Sequence, residues 1–148
     1  MTNPHNDRMR KAIQLSKECV PSDGAFSVGA VILSSNGALI ATGYSRELND
    51  YCHAEEAAID KALAAGESLA GCAIYTTMEP CSVRLSGRES CTAKLIHHKF
   101  AKVFYAAKEP GTFVQCQGVG ILERAGIHVE WMESFQEEVI RVNSHLKT

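Results

Sequence analysis

His53, Cys81 and Cys91 are three side chains that can bind a borderline metal, and Glu55 stands two positions after the histidine in the run YCHAEE. One imidazole and two thiolates give Zn²⁺ three protein ligands and leave a fourth position for water, the mark of a catalytic rather than a structural site. Glu55 is placed to touch that water without binding the metal. Residues i and i+2 point different ways inside a helix, so His53 and Glu55 converge only at a helix start. Cys81 and Cys91 enclose the nine-residue, mostly polar stretch SVRLSGRES, which carries Arg84 and Arg88. On spacing alone the cysteine pair is compatible with a metal site, a disulfide or a reactive thiol.

Something must hold these residues together, and the hydrophobic periods say what. NDRMRKAIQLSKECV (6–20) places Met9 and Ile13 at helical spacing before Pro21 stops the run. AFSVGAVIL (25–33) alternates Phe26, Val28, Ala30 and Ile32, the period of a strand. Asn36-Gly37 is a hairpin turn pair leading into a second strand, ALIATGYS (38–45). An alanine-rich helix is expected from His53 to Ala65, stopped by Gly66, and then a strand, CAIYTTM (72–78). A third helix should open at Cys91 under a Ser90 cap and run to about Lys99, followed by the strand AKVFYAA (101–107). A short helix over 117–125, a strand IHVEWM (127–132) and an amphipathic tail helix over 133–147 complete the order. In that last helix Phe135, Val139, Val142 and Leu146 share one side. The order predicts an α/β fold, a three-layer α/β/α sandwich around a five-stranded mixed sheet whose last strands are parallel. With no linker, repeat or low-complexity tract in 148 residues, it reads as one domain over 1–148.

Composition narrows the function classes. Apolar residues make up 45% and charged residues 22%, ordinary for a globular chain. The formal net charge of -2 argues against a polynucleotide partner, which selects for basic surface. No apolar run approaches the roughly 18 residues of a membrane span, and MTNPHNDRMRK lacks the apolar stretch of a secretory signal. A cytoplasmic, reducing setting is the expectation, and there six cysteines are poor disulfide candidates. Cys91 at a helix start and Cys81 just after a strand also favour thiolates.

His53-Ala54-Glu55 with Pro80-Cys81 resembles the zinc deaminase signature H-x-E…P-C-x-x-C, except that nine residues rather than two precede the second cysteine. The resemblance is closer to the riboflavin-pathway pyrimidine deaminases, within the cytidine-deaminase-like superfamily. They are similar to this chain in FSVGAVIL, GYSREL, HAEE, YTTMEPCSVRLSG, the Cys91 position and KEPGTFV, in order from residue 26 to 114. The fungal type, which acts on 2,5-diamino-6-ribitylamino-4(3H)-pyrimidinone 5'-phosphate, matches best. The resemblance implies one Zn²⁺ per chain on His53, Cys81 and Cys91, with Glu55 moving protons as hydroxide displaces ammonia. It also implies a small aminopyrimidine substrate and a homodimer. Two departures stand out. Ala25-Phe26-Ser27 lies where bacterial bifunctional relatives have Asn-Pro before Val-Gly, and NDYC precedes the histidine where the fungal type has a sequence more like Pro-Gly-Asn-Thr. The bacterial enzymes also carry a reductase domain, for which 148 residues leave no room.

Other residues take lesser expectations. Arg84, Arg88 and Lys108 are candidates to grip a substrate phosphate, and Glu47, with Ser45 and Arg46, to line the pocket rim. Glu79 is a candidate brace for the metal loop, and Glu56 reads as a solvated helix residue. Cys19, Cys52, Cys72 and Cys116 read as non-ligands, and His97 and His98 as helix-end residues. Two rival functions remain: deamination of another nucleobase, nucleoside or tRNA adenosine, and a zinc-stabilised binding module without turnover.

Overall fold

Where α1 (Pro4–Ser16) begins is decided by Asn3, whose side chain caps the His5 N–H at 2.9 Å, and by Pro4, whose fixed φ suits a first helical turn. The structure, a computed structural model, describes residues 3–22, 25–81, 89–108 and 117–145. After α1 come β1 (Gly29–Leu33), β2 (Leu39–Tyr44), α2 (Ala54–Ala64), β3 (Ala73–Met78) and α3 (Cys91–His97). Then follow β4 (Lys102–Ala107), α4 (Gly118–Arg124), β5 (His128–Trp131), a 3-10 turn (Glu133–Phe135) and α5 (Gln136–Val142).

The strands form one mixed sheet in the order β2-β1-β3-β4-β5, antiparallel on the β2-β1-β3 side and parallel from β3 through β5. Alternation sorts the strand side chains into two cores. Ala30, Ile32, Ile74 and Val103 meet Ala54, Ala58 and Ile59 of α2, Leu95 of α3 and Leu122 of α4. Val31, Leu33, Tyr75 and Phe104 meet Met9 and Ile13 of α1, and Phe135 and Val139 by α5. Helices therefore cover both faces, and the three-layer expectation holds. Tyr75 and Phe104 stack at 4.4 Å between centroids, a contact worth about 0.5–1.5 kcal/mol beyond buried area.

The differences from the sequence reading have local causes. The strand expected over 25–33 starts only at Gly29, because side chains take the earlier backbone groups. Ser27 N–H donates to Asn143 Oδ1 at 2.6 Å, Asn143 Nδ2 donates back to Ser27 O at 3.2 Å, and Val28 N–H donates to Ser45 Oγ at 2.8 Å. The same Asn143 amide also reaches back to Val139 O at 3.1 Å, and α5 ends before it; Leu146 lies outside the described residues. Asn36-Gly37 closes the hairpin, yet as the last two residues of a Ser34–Gly37 turn, with a bulge between Ile32 and Leu33. α1 starts and ends earlier than the periodicity suggests, at Pro4 and Ser16.

One contact sets where α2 can begin. A Cβ on Gly43 of β2 would lie 2.2 Å from Ala54 O and 2.7 Å from Ala58 N. Only a residue without a side chain lets the first turn of α2 lie this close to the sheet.

Candidate metal centre

α2, α3 and the segment after β3 each bring one candidate ligand to the same place. His53 is the N-cap of α2, with extended φ and ψ of -83° and 158°, so its ring is thrown off the helix start. Cys91 is the first residue of α3, whose N-cap Ser90 accepts the Ala93 N–H at 3.1 Å. Cys81 follows Pro80 beyond the carboxyl end of β3, a sheet end where open α/β folds commonly bind ligands. Thr92 fastens that segment to α3: its N–H and its hydroxyl both donate to Cys81 O, at 3.1 and 2.7 Å. α4 closes in from below, where a Cβ on Gly118 would meet Pro80 O at 2.3 Å.

The resulting geometry suits a tetrahedral ion. His53 Nδ1 lies 3.7 Å from Cys81 Sγ and 3.3 Å from Cys91 Sγ, and all three ligand atoms fall within 4.8 Å of one another. Tetrahedral zinc with ordinary Zn–N and Zn–S bonds puts nitrogen and sulfur about 3.6 Å apart. The two observed distances bracket that value. Cys91 is fully buried, whereas His53 and Cys81 are partly exposed, which leaves one side open to a small molecule.

The electrostatics also favour a cation. The Cys81 thiol is pulled down to about 4, chiefly by the hydrogen bond from Cys91; burial opposes this and His53 assists. Cys91 is pushed well above the ordinary thiol range because it is that donor, because it is buried, and because Glu55 adds negative charge. The pair thus holds one proton near neutral pH, and a divalent ion would displace it. Burial also raises the Cys52 and Cys72 thiols, and neither belongs to the cluster of His53, Cys81 and Cys91.

Glu55 lies beside the three ligand atoms and outside that set. Its Oε2 lies 3.3 Å from Cys91 Sγ, a second acceptor within reach of the single thiol proton, and its Oε1 accepts from Thr76 Oγ1 at 2.6 Å. His53 and Glu55 thus approach one sulfur from the start of one helix, as the i and i+2 argument requires. The neighbouring Glu56 corrects the sequence reading. It is 5% exposed, not solvated; it accepts the His53 N–H at 3.4 Å and pairs with Lys94 of α3 at 3.5 Å. Glu56 therefore ties the two ligand-bearing helix starts together.

The remaining candidates are dispersed. Glu47 pairs with Lys61 at 2.6 Å and accepts the Tyr44 N–H at 3.3 Å. Lys108 shares the carboxyl end of the sheet with the cluster, but its ammonium turns toward β5, 4.3 Å from the Trp131 ring centroid. Arg46 donates to Val20 O at 2.9 Å and so ties loops together. Glu79 donates its N–H to Ala107 O at 2.9 Å. Arg84, Arg88 and Cys116 lie outside the described residues. Thr76, Glu56, Thr92 and Lys94 are the neighbours that sequence reasoning misses. The available signal for Thr76 is a polar residue on the inward period of a buried strand.

The family model for the cytidine and deoxycytidylate deaminase zinc-binding region matches residues 2–107. The chain belongs to this family. Among curated relatives, the diaminohydroxyphosphoribosylamino-pyrimidine deaminase of Schizosaccharomyces pombe is 46% identical over 139 residues, covering 93% of this chain and 34% of that protein. The chain spans about a third of the length of the curated relatives it matches first. Among solved structures, the Aspergillus oryzae Rib2 deaminase in complex with DARIPP, a C-terminal deletion mutant, superposes with a TM-score of 0.86 at 26% identity. That match covers 98% of this chain and 93% of that chain. The Thermotoga maritima diaminohydroxyphosphoribosylaminopyrimidine deaminase/5-amino-6-(5-phosphoribosylamino)uracil reductase gives 0.84 at 28% identity, over 94% of this chain and 39% of that one.

Proposed function

We propose that the chain is a zinc-dependent aminohydrolase that removes ammonia from an aminopyrimidine. The substrate in this reading is the riboflavin precursor 2,5-diamino-6-ribitylamino- or ribosylamino-4(3H)-pyrimidinone 5'-phosphate. The observation that carries the reaction type is the anchored Glu55, with one oxygen on Thr76 and the other directed at the sulfur beside His53. The substrate class rests on the Schizosaccharomyces pombe relative and on the Aspergillus oryzae complex.

His53, Cys81 and Cys91 would hold one zinc ion per chain. The ion supplies Lewis acidity that brings a water molecule close to ionisation at neutral pH. Glu55 takes the proton from that water and passes it to a ring nitrogen while the oxygen bonds to the amine-bearing carbon. It then takes the second proton from the newly bonded oxygen and passes it to the departing nitrogen, so that water and amine become carbonyl and ammonia. General acid–base transfer of this kind is worth about 10²–10⁴ in rate. Arg84, Arg88 and Lys108 are proposed to meet the phosphate, and Glu47 to border the pocket.

Residues 1–148 are proposed to act as one deaminase domain, forming a homodimer in the cytoplasm. No helix among the described residues is long and apolar enough to cross a membrane. Gel filtration and cell fractionation test assembly and location. The deciding assay is ammonia release from a panel of aminopyrimidines with and without 5'-phosphate, alongside cytidine and adenosine. Release from the diaminopyrimidinone phosphates is expected. Release from cytidine or adenosine alone would overturn the substrate, and zinc binding with no release from any compound would leave a binding module. Glu55→Gln should keep zinc and lose at least about 10²-fold in kcat.

A further inference from the structure

Thr76 and Thr77 are adjacent, both fully buried, and face opposite sides of the sheet. Thr77 Oγ1 accepts the Gly29 N–H at 3.2 Å and so joins β3 to the start of β1. Thr76 faces α2, where its hydroxyl has two acceptors in reach: Glu55 Oε1 at 2.6 Å and Met78 O at 3.3 Å. It has a single proton to give. The 2.6 Å contact lies in the range of hydroxyl-to-carboxylate bonds, roughly twice as strong as neutral ones, so the proton goes to Glu55.

We propose that Thr76 is a positioning residue for Glu55, fixing Oε1 so that Oε2 alone meets the water and the substrate at the His53–Cys81–Cys91 cluster. A carboxylate has two equivalent oxygens and a freely turning terminal torsion. A carboxylate that must collect a proton at one point and deliver it at another works best when one oxygen is immobilised. Thr76 is well suited to hold it. Its strand is flanked on both edges, with Thr76 opposite Ala30 on β1 and Tyr105 on β4. Its branched Cβ further restricts χ1. Glu55 is tied to an inflexible part of the sheet, and the other oxygen is left 3.3 Å from Cys91 Sγ.

The inference rests on the deaminase reading of Glu55, and the test separates the two. Thr76→Val, Thr76→Ser and Glu55→Gln are assayed for ammonia release from 2,5-diamino-6-ribitylamino-4(3H)-pyrimidinone 5'-phosphate, with bound zinc and melting temperature measured on each. Thr76→Val should lose about 10- to 100-fold in kcat, with KM within about twofold and zinc at the parental level, because a hydrogen bond to a charged group is removed from the proton carrier. Thr76→Ser restores the donor and should recover most of kcat. Parental kcat in Thr76→Val, beside an inactive Glu55→Gln, would overturn the role of Thr76 alone. A loss confined to zinc or melting temperature, with kcat per bound zinc unchanged, would reduce Thr76 to a packing residue. Full turnover in Glu55→Gln would overturn the reading beneath it.

Discussion

Replacing Gly43 by alanine tests whether the start of α2 is held in place by backbone contact. The new Cβ would meet Ala54 O at 2.2 Å and Ala58 N at 2.7 Å, and neither atom belongs to a movable side chain. Ordinary contact requires the first turn of α2 to retreat by about 1 Å. That turn carries Glu55, and His53 caps it, so the same retreat would lengthen the 2.6 Å Thr76–Glu55 bond beyond hydrogen-bond range. Overpacking of this kind costs about 1–3 kcal/mol, which lowers the melting temperature of a domain this size by roughly 3–10 °C. A displacement of about 1 Å at the reacting groups costs about 10²-fold in rate. Differential scanning fluorimetry, zinc content and ammonia-release kinetics on purified Gly43→Ala measure all three quantities. Gly66→Ala is the control: its Cβ meets nothing within 4 Å and its φ is +79°, so it should lose stability by left-handed strain and keep its kcat. If Gly43→Ala keeps parental kcat and zinc, backbone contact with β2 does not position the cluster.

Three further outcomes are expected. Zinc loading near pH 7 should release one proton from the cysteine pair, since Cys81 is already ionised and Cys91 is not. Affinity should therefore change about tenfold per pH unit, falling toward acid as the Cys91 proton becomes harder to displace; a hundredfold slope in zinc titrations would show that both thiols are protonated beforehand. Glu56→Ala removes the acceptor of the His53 N–H and the link to Lys94, and should weaken zinc about tenfold in chelator competition; an unchanged affinity would make that link incidental. Asn143→Ala orphans buried groups of Ser27, which should cost about 1–3 kcal/mol in urea unfolding, and a loss below about 0.5 kcal/mol would contradict the pinning role.

The candidate metal set is legible from residue types, because a histidine, two cysteines and a nearby glutamate match the ligands and the non-ligand carboxylate of a zinc deaminase signature. The layer order is legible from apolar periods, since the central strands β1, β3 and β4 bury both faces. What escapes is what depends on partners distant in sequence. Thr76 reads as a good strand former, and nothing beside it announces an acceptor 21 residues earlier on α2. Glu56 reads as surface because acidic residues are common in first helical turns, while its burial comes from Lys94 on another helix. Phe26 and Val28 alternate correctly, yet the Ser27 backbone between them is taken by a side chain 116 residues away.

Gly118 gives the site an extent that differs from the matched family region. That region ends at residue 107, yet the backbone of α4 lies directly against Pro80 O, beneath the residue that leads into Cys81. A fragment cut at residue 107 would keep every candidate ligand and lose the floor on which one of them stands. For grafting, for shuffling segments between relatives or for tracing descent, the working unit has to include α4, although the shared motif stops short of it.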